Sequence, residues 1–244
     1  MKLRGLLIII LIGIIAPLSL ITVLSESNTN SETIAIIGTG NVGSALGKIW
    51  AAKGHEIIYG SRTPTSDRVQ QLVRESGKNA MSTTQADAAR RADIVMIPIP
   101  PTAIPEVIDA LGNLEGKLII DTTNWWDFED SWAISPHDPR DSLAEQVQTL
   151  APDADVVKAF NTMNYAVMVD PSISDGPVTV PIAGDSSNAK ARVAALAQDI
   201  GLEPLDVGPL AAAEYLEEML RLAIGFREIN PGVAFDYHLR LRPN

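Results

Sequence analysis

The 244-residue chain contains no cysteine. Thiol nucleophiles, disulfides, thiolate-bound zinc and lipid attachment to a leader cysteine are all excluded. Histidine is nearly as scarce: His55, His137 and His238 stand far apart without metal-ligand spacing, so no metal site is expected. Lys and Arg number 19 against 30 Asp and Glu, giving a net charge of −11. Such a chain lacks the clustered cations that neutralise a phosphate backbone, and nucleic acid is not an expected partner. Internal repeats and low-complexity segments are also missing. Aromatic residues make up 5% of the chain, so their crowding in one place is informative.

That place is Trp125 to Arg140, where Trp125, Trp126, Phe128 and Trp132 precede a proline-rich stretch. A loop of this length is more often functional than merely connecting, and it could cover a ring-shaped ligand. The competing expectation is that these aromatics pack the loop down or form a subunit contact. The chain also has one long apolar run. Lys2 and Arg4 precede Gly5 to Leu24, which carries no charge and sits at the lower limit for spanning a bilayer. Residues 1–24 read as a signal or anchor segment, with membrane anchoring by residues 5–24 slightly favoured over cleavage. Residues 25–32 then form a polar linker. By the positive-inside rule the rest of the chain belongs outside the cytoplasm, with a cytoplasmic location as the alternative.

Residues 33–244 read as an α/β domain of the doubly wound, mostly parallel kind, with a C-terminal helical extension. The organising stretch is Thr33 to Gly47. A short apolar run, Ile34 to Ile37, suits a strand covered on both faces. Gly38, Gly40 and Gly43 follow at the G-x-G-x-x-G spacing of a dinucleotide-binding turn. The first would allow a tight turn, the second close approach of a pyrophosphate, and the third close packing of helix on strand. The helix that opens there presents free N–H groups and a positive dipole end to the diphosphate. Its apolar stripe is Val42, Leu46, Ile49 and Trp50.

His55 to Tyr59 reads as the second strand, with His55 as a strand-entry residue rather than a catalyst. About twenty residues past the glycines, an NAD-binding chain would place an acid for the ribose 2′-hydroxyl. Here stand Ser61 and Arg62, a hydroxyl and a guanidinium suited to a 2′-phosphate, so NADP is favoured over NAD. Further strands are expected at Asn79–Ser82, Asp93–Pro98, Lys117–Asp121, Asp155–Phe160, Val178–Ala183 and Leu202–Val207. Helices are expected at 67–77, 84–91 (capped by Thr83 or Thr84), 103–111, 142–150, 185–200 and 210–226. Ligands of open α/β sheets bind at the carboxyl ends of the strands. That rule brings Ile97 and Pro98 to the cofactor, and Asn124, Trp125, Asn161 and Thr162 to a second substrate.

The chain resembles the NADP oxidoreductases that use the deazaflavin coenzyme F420, and it is similar to the reductase domain of six-transmembrane metalloreductases. The resemblance rests on Ile37-Gly-Thr-Gly-Asn-Val-Gly43, Gly60-Ser-Arg62, Ile97-Pro98, Val157-Lys-Ala-Phe-Asn-Thr162 and Ala183-Gly-Asp185. It implies that Thr39, Gly40, Asn41 and Val42 contact NADP and that Ser61 and Arg62 hold its 2′-phosphate. It further implies direct hydride transfer between nicotinamide and a flavin-like ring, with no catalytic acid or base. Where the family carries a basic residue shortly after the Arg, this chain has Ser66. The expected function is NADP(H)-dependent hydride transfer to or from F420 or a flavin. The alternatives are reduction of a small carbonyl or imine with Lys158 as proton donor, and a membrane-tethered NADP-binding module without catalysis. A homodimer is expected from the apolar helix at Leu210–Phe226 and the aromatics.

Overall fold

The computed structural model describes residues 31–125, 141–230, 232–233 and 237–240. The expected leader, most of the linker and the aromatic loop beyond Trp125 lie outside the described residues. Ser31 and Glu32, at the end of the expected linker, are already tied to the domain. Ser31 donates to the Gly54 carbonyl, and Glu32 accepts two hydrogen bonds from the Arg192 guanidinium.

Eight strands form one sheet in the order β3-β2-β1-β4-β5-β6-β7-β8. They are β1 (Thr33–Ile37), β2 (Glu56–Gly60), β3 (Ala80–Thr83), β4 (Ile94–Ile97), β5 (Leu118–Asp121), β6 (Asp155–Lys158), β7 (Thr179–Gly184) and β8 (Glu203–Gly208). The first six run parallel; β7 pairs antiparallel with β6, and β8 pairs parallel with β7. The order 3-2-1-4-5-6 is that of a Rossmann sheet, whose direction of growth reverses between β1 and β4. A crevice opens at such a reversal, because the crossovers on its two sides leave in opposite directions.

Helices α1 (Asn41–Ala52), α2 (Asp67–Ser76), α3 (Gln85–Arg91), α4 (Ile104–Leu111), α5 (Leu143–Leu150), α6 (Tyr165–Val169), α7 (Ser187–Asp199) and α8 (Ala213–Ile229) cover both faces. Side chains alternate between the faces along each strand. Ile34 and Ile36 join Leu46, Trp50, Val193 and Leu196 in one apolar cluster. Ala35 and Ile37 join Ala88, Ile104, Leu143 and Leu216 in the other. A strand buried on both faces must be apolar where it is covered, which is why β1 is apolar from Ile34 to Ile37, β4 throughout, and β5 up to Asp121 at its carboxyl end.

Two strand expectations need correction. The sixth strand does not reach Phe160: it ends at Lys158, because Phe160 has φ +62°, a left-handed backbone that leaves the ladder. Strand β2 begins at Glu56, one residue after His55, whose ring bridges the Glu32 N–H and the Asp199 carboxylate. The short helix α6 follows from no sequence period; Asn164 caps it by accepting from the Ala166 N–H. At α3, Thr84 rather than Thr83 is the cap, while the Asp87 carboxylate accepts from the Thr83 hydroxyl. Among the described residues no helix is long and apolar enough to cross a membrane, and no cluster of metal-ligating side chains occurs.

Candidate active site

Everything at the carboxyl end of β1 follows from close packing. Gly38 has φ +135°, and a Cβ there would lie 2.6 Å from the Pro98 carbonyl oxygen. A Cβ at Gly43 would lie 2.0 Å from the Gly38 carbonyl oxygen, so α1 seats directly on the turn. Gly40 differs from both. Its backbone is extended and an added Cβ would meet no atom within 4 Å. Neither backbone strain nor protein packing explains that glycine; open space for a ligand does. The N-terminus of α1 has no side-chain cap and no acidic residue in its first turn. Its N–H groups and dipole end are left for an anion.

Register fixes the neighbours of this turn. Ile37 pairs with Gly60, so the chain leaves β1 and β2 side by side, with Thr39 two residues beyond one strand and Arg62 two residues beyond the other. Ser61 donates its N–H to the Thr83 carbonyl, and its hydroxyl accepts from the Thr63 N–H. Arg62 is exposed and makes no ion pair or side-chain hydrogen bond among the described residues. Ile97 is fully buried as the last residue of β4, and Pro98 stops the ladder and packs over the turn.

A cleft of about 430 Å³ runs from Gly40, Asn41 and Val42, past Pro98 to Pro101, to the ends of β5 and β6 and to α8. Its far wall is Thr122, Thr123, Asn124 and Phe160 to Tyr165, with Leu220, Ala223 and Tyr237 closing it. Asn124 and Asn161, expected at one sheet edge, are in direct contact. Asn161 donates to Asn124 Oδ1 at 3.0 Å, and Asn124 donates to the Asn161 carbonyl at 3.1 Å. Asn161 also donates to the Leu216 carbonyl, which fastens α8 to the strand ends. The left-handed turn at Phe160 aims this pair; the Phe160 ring is anchored edge-on against Trp50 at 5.7 Å. Thr162 lies on the same wall. Trp125 does not: it is half-buried against the apolar cluster that holds Leu143 and Leu216.

Lys158 is placed where it can donate to no substrate. Its ammonium is fully buried and gives its three N–H groups to Asp121 Oδ2 (2.9 Å), the Thr123 carbonyl (2.6 Å) and Glu217 Oε1 (2.7 Å). Burial pulls the Lys158 pKa down, but the Asp121 and Glu217 carboxylates outweigh it and hold it above the ordinary lysine value. One ammonium faces two carboxylates, and burial raises the Glu217 pKa above the usual carboxylate range despite Lys158. Glu217 also accepts from the Leu143 N–H. Sequence reasoning missed this acid. Its signal was a single charge inside the apolar stripe of α8, matched by a lysine inside a strand.

A glycine turn at the reversal of a parallel sheet, an uncapped helix end and a polar-walled cleft define a Rossmann-type dinucleotide-binding protein. Residues 33–125 match the family described as NADP oxidoreductase, coenzyme F420-dependent. An F420-dependent NADP reductase of Methanocaldococcus jannaschii is 30% identical over 79% of this chain and 91% of that protein. A crystal structure described as a putative F420-dependent NADP reductase from Arthrobacter sp. FB24 has 30% identity and a TM-score of 0.78, over 86% of this chain and all of that one. Metalloreductase STEAP3 of Rattus norvegicus is 29% identical over 82% of this chain, which spans 38% of that protein's length. The chain belongs to the F420-dependent NADP oxidoreductase family.

Proposed function

We propose that this domain binds NADP(H) at the glycine turn and transfers hydride between the nicotinamide and a flavin-like ring, F420 or a flavin, held against the far wall of the cleft. The observation that carries this reading is what lines the cleft. Among the described residues that line it, only Tyr165 and Tyr237 carry an ionisable side chain. Hydride transfer between two rings asks a protein for placement and exclusion of water, not for a proton donor of tuned pKa. Gly38, Thr39, Gly40, Asn41, Val42 and Gly43 would carry the pyrophosphate, Ser61 and Arg62 the 2′-phosphate, and Ile97 and Pro98 the floor beneath the nicotinamide ribose. When bound, NADPH supplies the hydride. Asn124, Asn161 and Thr162 would orient the acceptor, and Asn161 Oδ1 and Thr122 Oγ1, both buried without a hydrogen-bond partner, make that wall polar.

The test is oxidation of NADPH by the purified full chain with F420, FMN or FAD as acceptor. Turnover with one of them is expected, and NADPH binding without turnover on all three would overturn the acceptor half of the reading. Carbonyl or imine reduction stays open on one observation, the Tyr165 and Tyr237 side chains at the cleft. A Tyr165→Phe variant that kept flavin turnover and lost carbonyl turnover would favour it. Association into a dimer is part of this proposal. The stripe expected to form it is used inward, since Leu216 and Ala223 are buried, but Tyr215, Leu222 and Ile229 are exposed at seven-residue spacing on α8. Sedimentation of the full chain, with and without Leu222→Glu, tests it. Anchoring by residues 5–24 would be read by partition of the full chain between membrane and soluble fractions.

A further inference from the structure

Arg68 lies outside the pattern that pointed to the cofactor. It sits on the first turn of α2, where the positive dipole end disfavours a cation. A helix gains nothing from an arginine there, so the side chain is held for another reason. Its guanidinium reaches across to the glycine turn, donating from Nη1 to the Thr39 carbonyl and from Nη2 to Thr39 Oγ1, both at 2.7 Å. It has no carboxylate partner among the described residues, in a chain with 30 acidic ones.

Two consequences follow from those bonds. Thr39 Oγ1 accepts from Arg68, so the hydroxyl's own proton is left to donate elsewhere. The Thr39 hydroxyl is thereby held in place with its proton still available. Secondly, Arg68 spends two of its five N–H groups on Thr39 and keeps three. Through the register of β1 and β2, Arg62 leaves the sheet beside Thr39. Arg68 thus grips Thr39, while Arg62, which likewise has no carboxylate partner among the described residues, leaves the neighbouring strand, all next to an uncapped helix N-terminus. An isolated surface arginine is ordinary; this convergence is a region of uncompensated positive charge. A phosphomonoester carries about 1.5 to 2 negative charges at neutral pH, which one guanidinium does not neutralise.

We propose that Arg68 is a second cation of the cofactor site, holding Thr39 in place with its hydroxyl proton available and sharing with Arg62 the recognition of a ribose 2′-phosphate. This rests on the NADP reading above and makes Arg68 a determinant of preference for NADP over NAD.

The experiment is equilibrium binding of NADPH and NADH to the full chain, for the wild type, Arg68→Ala and Arg68→Lys, with thermal melting to confirm folding. Arg68→Ala is expected to weaken NADPH about ten- to a hundredfold and to change NADH by less than about twofold. Arg68→Lys should recover part of the NADPH affinity, since it keeps the charge and loses the fork. Equal loss for both nucleotides would mean that Arg68 only braces the turn, and would overturn the proposal. So would unchanged NADPH binding. If the wild type itself binds NADPH no better than NADH, the NADP reading fails; if it prefers NADPH and Arg68→Ala keeps that preference, only the role of Arg68 fails.

Discussion

Two groups of charged side chains, neither of them among the residues lining the cleft, differ in every respect that matters. Arg62 and Arg68 are exposed and have no carboxylate partner among the described residues. Lys158, Asp121 and Glu217 are buried, and every N–H of the lysine is taken. A charge left in water costs little and stays available for a ligand. A charge removed from water costs several kcal/mol unless its hydrogen bonds are made inside. The buried triad therefore serves the fold: it ties β5, β6 and α8 together and leaves the wall above it, from Thr122 to Asn124, rigid. The exposed pair is proposed above to serve recognition.

Breaking the buried group should have the largest effect. Lys158→Met leaves Asp121 and Glu217 facing each other without their cation, and a loss of about 3–5 kcal/mol in unfolding free energy is expected from urea denaturation. A loss below about 1 kcal/mol would remove the distinction between the two groups. In the exposed pair, Arg62→Ala should leave folding unchanged and weaken NADPH by about 1.5–3 kcal/mol, the worth of hydrogen bonds to a charged group. Its effect on NADH should be slight; equal loss for both nucleotides would remove the phosphate assignment. Salt separates the groups further. NADPH affinity should fall as ionic strength rises, whereas the denaturation midpoint should respond far less, because buried pairs are poorly screened.

The smallest effect is expected at Glu217. Its raised pKa marks it as the surplus negative charge of the triad. Glu217→Gln keeps an oxygen for Lys158 and the Leu143 N–H, and should change stability by less than about 1 kcal/mol near pH 7. The sign with pH is fixed. A carboxyl whose folded pKa is raised contributes stability below the unfolded value, near 4.5, and loses it as pH climbs through the folded value. Measured against the wild type, Glu217→Gln should therefore gain stability as pH rises from 4.5, and a flat difference would contradict the raised pKa.

Much of the domain was legible because its signals are short-range. The glycine spacing and the run Ile34–Ile37 each state their structural role within a few residues. Strand ends were legible too: Asn124 and Asn161 were expected at one edge through the rule for parallel sheets. What lay beyond reach was the meaning of charges whose partners are distant in the chain. Lys158 read as a candidate proton donor because nothing nearby reveals Asp121 and Glu217. Arg68, within the helix expected at 67–77, carries no local sign of its contact with Thr39. The left-handed backbone at Phe160 leaves no trace in composition, since any bulky residue avoids that region unless its surroundings impose it.

The sequence by itself determined the order of the strands and the longer helices, the glycine turn and the residue types offered to a phosphorylated ribose. Those follow from periodicity, from the few residues that tolerate a turn, and from side-chain chemistry at a fixed spacing. Only the tertiary structure decided which charges are free and which are consumed. Whether an ammonium is a catalyst or a rivet, and whether an arginine is surface or site, depends on solvation and on atoms within about 3 Å, the range of a hydrogen bond. Those atoms come from strands and helices far apart in the chain, brought together by burial of the apolar faces between them.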